Sequence, residues 1–144
     1  MTRDIKKIAS YYKKKHGTSD PFKLAKILGI EVMIGNLGSK SGCYMYLKRS
    51  KCIWINENLS ECEKLFVMAH ELGHAILHPK ENCYFIKHST FLLTSKTEQE
   101  ANKFAVEFLV PDDFILEKIQ NGYTIEQLSR LLGFQKEMIE LKFK

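Results

Sequence analysis

His70-Glu71-Leu72-Gly73-His74-Ala75-Ile76-Leu77-His78 is the stretch on which the reading of this chain turns. Ser60 and Glu63 ahead of it make the S-x-x-E pattern of a helix start, and Pro79 prevents clean continuation. The spacing therefore predicts one helix from about Ser60 to His78. Leu65, Ala69, Leu72 and Ile76 recur along one side of it as a buried stripe. His70 and His74 are four residues apart, so both imidazoles stand on one helix face, close enough to bind a single ion. His78 continues the series but lies eight residues beyond His70, about 12 Å along the axis, too far for one ion to bridge. It is expected either to support a ligand from behind or to sit at the helix end, not to bind the ion.

Neutral imidazole nitrogen is a good zinc ligand. Glu71, next to the first histidine, is rotated off the ligand row, where a carboxylate can take a proton from an attacking water and pass it to a leaving amine. This is the H-E-x-x-H arrangement of metallopeptidases. With this chain's histidine and glutamate content, a chance match has a probability of roughly one or two per cent. A catalytic zinc takes three protein ligands and keeps one position open, so a third ligand must come from elsewhere. The better candidates are Glu98 and Glu100, on a helix predicted over roughly 97–109 and stopped by Pro111. Ala101, Phe104, Ala105 and Phe108 define its buried face; Glu98 falls near one edge of that face and Glu100 turns further toward solvent. Both also fit capping boxes, Ser95/Glu98 and Thr97/Glu100. Asn102, four residues after Glu98, shares its side and is placed to orient a ligand histidine. His88 is a further possible ligand.

Working outward, Ile5, Ile8, Ala9 and Tyr12 predict an amphipathic helix over 3–15, ended by His16-Gly17. Asp20-Pro21 opens a second, which runs to about Leu28 with Gly29 as its stop. Glu31 to Leu37, Gly42 to Leu47 and Cys52 to Asn56 read as strands, the last two joined by the polar loop 48–51. Residues 80–96 read as a loop. Thr124 and Gln127 start another helix, which ends at Gly133, and the last ten residues add one more. Leu24–Ile30 and Leu128–Phe134 echo each other and the first helix of a helix-turn-helix, but neither is followed by a polar recognition helix. Without linker or composition break, residues 1–144 are expected to form one α+β domain.

The 144 residues are 44% hydrophobic and 27% charged, which is globular composition. No apolar run approaches the roughly 18 residues that span a bilayer, and the N-terminus lacks the apolar core of a secretory signal. A cytoplasmic location is expected. Cys43, Cys52, Cys62 and Cys83 contain no C-x-x-C pair, so free thiols are expected, although Cys43 and Cys52 could face each other across a hairpin. The net charge is +5, with Arg3, Lys6, Lys7, Lys13, Lys14 and Lys15 clustered early. The preferred reading is a solvated helix face, with no direct nucleic-acid binding.

His70–His78, Glu98–Ala105 and Phe108-Leu-Val-Pro111 together resemble the ImmA/IrrE family of metallo-endopeptidases, as do Cys52–Asn56 and Thr124–Gly133. The resemblance runs from about residue 20 to the end. It departs at Val110, where the family often has methionine. It implies a compact zincin-like domain: an active-site helix on a small, about three-stranded sheet with flanking helices. Glu98 and Asn102 are spaced like the glutamate and its acidic or amide partner in gluzincins, which implies Glu98 as third zinc ligand. Members typically cleave helix-turn-helix repressors of phages, mobile elements or stress responses, so such a repressor is the implied partner. The expectation is thus a Zn2+ endopeptidase with ligands His70, His74 and Glu98, and Glu71 as general base. Tyr44, Tyr46 and Tyr84 are candidate oxyanion donors, and Cys52–Asn56 is a candidate edge strand for substrate. The rivals are a DNA-binding module and a metal-stabilised protein that binds a repressor without cutting it.

Overall fold

The chain is described by a computed structural model covering residues 3–81, 83–86 and 95–144, with only the backbone of 83–86. Helix α1 (Ile5–His16) starts where the Asp4 carboxylate accepts from Lys7 N and stops at Gly17, whose φ of 63° suits a residue without Cβ. Helix α2 (Pro21–Ile27) begins with the predicted Asp20 cap and proline. Strands β1 (Glu31–Gly35), β2 (Lys40–Leu47) and β3 (Ser50–Asn56) follow, then α3 (Glu61–Leu77) behind a complete Ser60/Glu63 capping box. Strand β4 (Cys83–Ile86) lies in the stretch read as loop. Helices α4 (Lys96–Leu109), α5 (Asp112–Gln120), α6 (Ile125–Leu132) and α7 (Lys136–Glu140) complete the order, with a 3-10 turn at Leu141–Phe143.

The α+β class and the helix-on-sheet arrangement are as expected, and β4 adds a fourth strand to the predicted three. The order is β1-β3-β2-β4, with β1 parallel to β3 and the other pairs antiparallel. The strand Cys52–Asn56 is therefore interior, which removes it as a docking edge. Its Cys52 pairs with Met45, and Cys43 pairs with Trp54, so the two cysteines are not opposite each other; both are free thiols. Helix α5 was not foreseen: Ile115 is its only buried residue, while Leu116 and Ile119 are exposed, so its sequence carries no clean amphipathic period.

Tyr44, Ile53 and Ile55 from the sheet pack with Met68 and Leu72 of α3 and Phe104 and Phe108 of α4 in the main core. Phe66 and Ala69 meet Ala105 and Met138 in a smaller cluster on another side of α3. Helix α3 is thus buried over most of its girth from Phe66 to Ala75, not along one stripe, and the predicted stripe residue Leu65 is exposed. Two of its C-terminal carbonyls, which no helical N–H reaches, and the Pro79 carbonyl just past its end are met from three directions. Lys51 Nζ donates to Ala75 O at 3.1 Å, Arg3 Nη1 donates to Leu77 O at 2.6 Å, and the Tyr44 hydroxyl donates to Pro79 O. No described helix is long and apolar enough to cross a membrane.

Strand β2 crosses α3 at Gly42. A Cβ there would stand 2.7 Å from Val67 Cγ1 and 2.9 Å from the Trp54 carbonyl oxygen, contacts that force the layers apart. Gly42→Ala is expected to cost about 1–3 kcal/mol by overpacking, lowering the melting temperature by roughly 5–10 °C. Thermal unfolding of the variant measures it, and an unchanged melting temperature would contradict the close approach.

Candidate metal centre

Three side chains from two helices converge. His70 and His74, one turn apart on α3, bring their Nε2 atoms to 3.2 Å. Glu98, in the first turn of α4, places Oε2 at 2.8 Å from His70 Nε2 and 2.9 Å from His74 Nε2. A tetrahedral ion with ligand distances near 2.0 Å has ligand–ligand edges of roughly 3.3 Å, so these separations are close to one coordination shell. Both imidazoles are fully buried, whereas Glu98 keeps 21% side-chain exposure.

The hydrogen bonding says what kind of guest fits. His70 Nδ1–H donates to Asn102 Oδ1 at 2.7 Å. An amide oxygen can only accept, so the ring proton sits on Nδ1 and Nε2 presents a lone pair. That lone pair faces a carboxylate oxygen at 2.8 Å, and two acceptors stand so close only with positive charge between them. Burial is the largest influence on His70 and pushes its pKa down, disfavouring the imidazolium despite the pull of Glu98. Burial pushes Glu98 up, but the imidazoles of His70 and His74 beside it outweigh that and hold the carboxyl at about 2. Two imidazoles and an ionised carboxylate form a donor set that fits a divalent cation.

Glu71 lies beside the triad, fully buried, with no hydrogen-bond partner for either carboxylate oxygen among the described residues. Burial, and then the Glu98 charge, pushes its pKa well above the ordinary carboxylate value. Glycine at position 42 leaves the space over it: a Cβ there would come within 3.5 Å of Glu71 Cγ.

The remaining candidates fall elsewhere. His78 caps the C-terminus of α3, with Nε2 3.1 Å from Glu100 Oε1 and Nδ1 3.8 Å from Glu81 Oε2. Glu100 does not turn to solvent as the helical projection suggested; it faces His78 with 16% exposure, less than Glu98. Of the two predicted caps on α4, Ser95 is the one used, accepting from Glu98 N at 3.3 Å. The buried Tyr44 hydroxyl is committed to Pro79 O, which removes it as an oxyanion donor. His88 and the Tyr84 side chain lie outside the described residues.

Sequence reasoning missed Gly73. A Cβ on it would stand 3.2 Å from Ala101 Cα, Ala101 O and Phe104 Cβ. Its absence lets α4 lie close enough to α3 for Glu98 and Asn102 to reach the histidines. The available signal was a glycine inside a helix, a position that costs about 1 kcal/mol relative to alanine unless packing requires it.

The family model described as the IrrE N-terminal-like domain matches residues 25–144. The chain belongs to the ImmA/IrrE metallopeptidase family. It is 42% identical over 130 residues to immunity region protein 2 of Bacillus phage phi105, covering 90% of this chain and 82% of the relative. To metallopeptidase ImmA of Bacillus subtilis strain 168 it is 34% identical over 132 residues, covering 90% of this chain and 72% of that protein. A solved transcriptional regulator of Mycobacterium tuberculosis shares the fold, with a TM-score of 0.60 at 21% identity over 96% of this chain. The chain spans 46% of that longer protein. Membership in a metallopeptidase family implies a bound metal ion, and the His70–His74–Glu98 cluster is a donor set able to take one.

If the cluster is the metal site, Glu98→Ala and the double variant His70→Ala/His74→Ala lose the metal, while Glu100→Ala keeps it. Elemental analysis of protein purified without added metal decides this. Full occupancy in the double variant would place the ion elsewhere.

Proposed function

We propose that this chain is a zinc-dependent endopeptidase that cuts a helix-turn-helix transcriptional repressor of a phage or mobile element in the cytoplasm. The observation that carries the catalytic part is the triad of donor atoms 2.8–3.2 Å apart with the unpartnered carboxylate of Glu71 beside it. Two imidazoles and one carboxylate in near-tetrahedral spacing match catalytic zinc, with one position left open. Zn2+ bound there supplies Lewis acidity to the scissile carbonyl and lowers the pKa of a water.

In this reading His70, His74 and Glu98 hold the ion. Asn102 keeps the proton of His70 on Nδ1, so that Nε2 is always available as a ligand. Glu71 accepts the proton of the attacking water and delivers it to the leaving amine nitrogen. Burial, and then the Glu98 charge, makes its carboxylate a stronger base than an exposed glutamate. Substrate enters as an extended strand against β4, which pairs with β2 on one side only among the described residues. Strand addition uses main-chain hydrogen bonds and favours an extended linker or a locally unfolded segment over an intact helix. The names of the relatives support the repressor: one belongs to a phage immunity region, and the other is the metallopeptidase ImmA.

Glu71→Gln is expected to retain metal and fold while lowering cleavage by about 100-fold or more, because it removes the proton acceptor at constant shape. Wild-type cutting by this variant would end the general-base assignment. The wild-type chain, incubated with the repressor encoded beside it, should cut it at one or a few sites, read by gel and mass spectrometry, and leave casein nearly intact. Broad digestion of casein with an untouched repressor would point instead to a general peptidase.

A further inference from the structure

Away from the triad, α1, α4, the start of α5 and the end of the chain meet around a cavity of about 90 Å3. Its polar wall is Lys6, Ser10, Lys13, Glu107, Asp112 and Lys142. Lys6, Ser10 and Lys13 stand at i, i+4 and i+7, on one face of α1.

Each carboxylate oxygen in this wall has an ammonium group beside it. Glu107 Oε1 receives Lys142 Nζ at 2.7 Å, and Oε2 lies 2.7 Å from Lys103 Nζ. Asp112 Oδ1 receives Lys142 at 2.6 Å, and Oδ2 lies 2.6 Å from Lys6 Nζ. Lys142 is itself buried, with 3% side-chain exposure, and spends its three N–H groups on Glu107, Asp112 and the Val110 carbonyl. The donors are not all taken. Among the described residues Lys13 Nζ makes one hydrogen bond, to Glu107 O at 3.0 Å, and Lys6 pairs with Asp112 alone. The Ser10 hydroxyl has no hydrogen bond among the described residues.

Charge is unbalanced in the same sense. Lys6, Lys13 and Lys142 line the cavity against two carboxylates, Glu107 and Asp112. Burial, and then the neighbouring Lys142 charge, pushes the Lys13 pKa down against the pull of Glu107, Asp112 and Asp113. Asp4 and Asp113 also act on these lysines, but from exposed positions where water screens them.

We infer that this cavity binds a small tetrahedral oxyanion, inorganic phosphate or the phosphate of a phosphomonoester, through Lys6 Nζ, Lys13 Nζ and the Ser10 hydroxyl. Charge-assisted hydrogen bonds from two ammonium groups and a hydroxyl suit such a guest, and the volume admits a phosphate group but not a nucleotide. The bound anion fastens α1 to α4 and α5. Because α4 also carries Glu98 and Asn102, occupancy stiffens the frame of the metal centre from its far side.

The test is titration of the purified chain with inorganic phosphate and, separately, glycerol 3-phosphate, against sodium chloride at matched ionic strength. Calorimetry should show one site per chain, and at ten times the dissociation constant the melting temperature should rise by about 3–6 °C over the chloride control. The tighter of the two titrants identifies the source of the phosphate. Lys13→Gln should weaken binding by about tenfold or more, because it removes a charged donor. Ser10→Ala should weaken it several-fold while leaving every ion pair of the cluster in place, which keeps the test decisive if Lys13→Gln does not fold. Equal melting temperatures in phosphate and chloride, or wild-type phosphate affinity in Ser10→Ala, would overturn the inference.

Discussion

The contact between α3 and α4 at Gly73 is the constraint on which the site depends. With no Cβ at that position, the Ala101 backbone approaches the helix directly, and the first turn of α4 lies over the histidine row. Only at that separation can the short side chain of Asn102 reach His70 Nδ1 while Glu98 reaches both Nε2 atoms. A glycine weakens a helix interior by about 1 kcal/mol, and here that loss is offset by packing it allows with Ala101 and Phe104. The same row of close contacts removes water from the imidazoles, which strengthens every electrostatic interaction among them.

The opposite side of α3 is held just as tightly. Gly42 lets β2 pass over Val67 and Glu71, so the carboxylate sits buried between sheet and helix. A buried, unpartnered carboxylate is costly, and it persists because the surrounding apolar core fixes the helix from both sides. Lys51, Arg3 and Tyr44 complete the restraint by taking the carbonyls of Ala75, Leu77 and Pro79, at and just past the helix end. Arg3 and α1 lie before residue 25, where the family match begins, yet they pack against α3 and α4 as integral parts of the frame.

Legibility in the sequence followed the range of the interactions. Helices with capping boxes or proline starts were readable, because caps are local: Ser60/Glu63, Thr124/Gln127 and Asp20-Pro21 all form as their spacing suggests. Helix α5 was not, since its apolar residues Leu116 and Ile119 face outward and blur the period. Strand order was not readable either. The chain runs β1, β2, β3, yet β1 pairs with β3 and leaves that strand interior, a choice made by which faces bury best together.

The sequence by itself determined the pair His70/His74 and the adjacent Glu71, because four residues is one helical turn and the helix is fixed by its own caps. The family motif in the sequence also pointed to Glu98. The tertiary structure decided what each glutamate of α4 meets. Glu98 and Glu100 lie two residues apart on one helix and are similarly buried, and the rotation of α4 set by Ala101 and Phe104 sends one to the histidine pair and the other to His78. It also decided that Lys6, Ser10 and Lys13, which read as parts of a solvated basic helix, line a cavity with Glu107, Asp112 and Lys142. A helical period says which side chains share a face, and only packing says what that face meets.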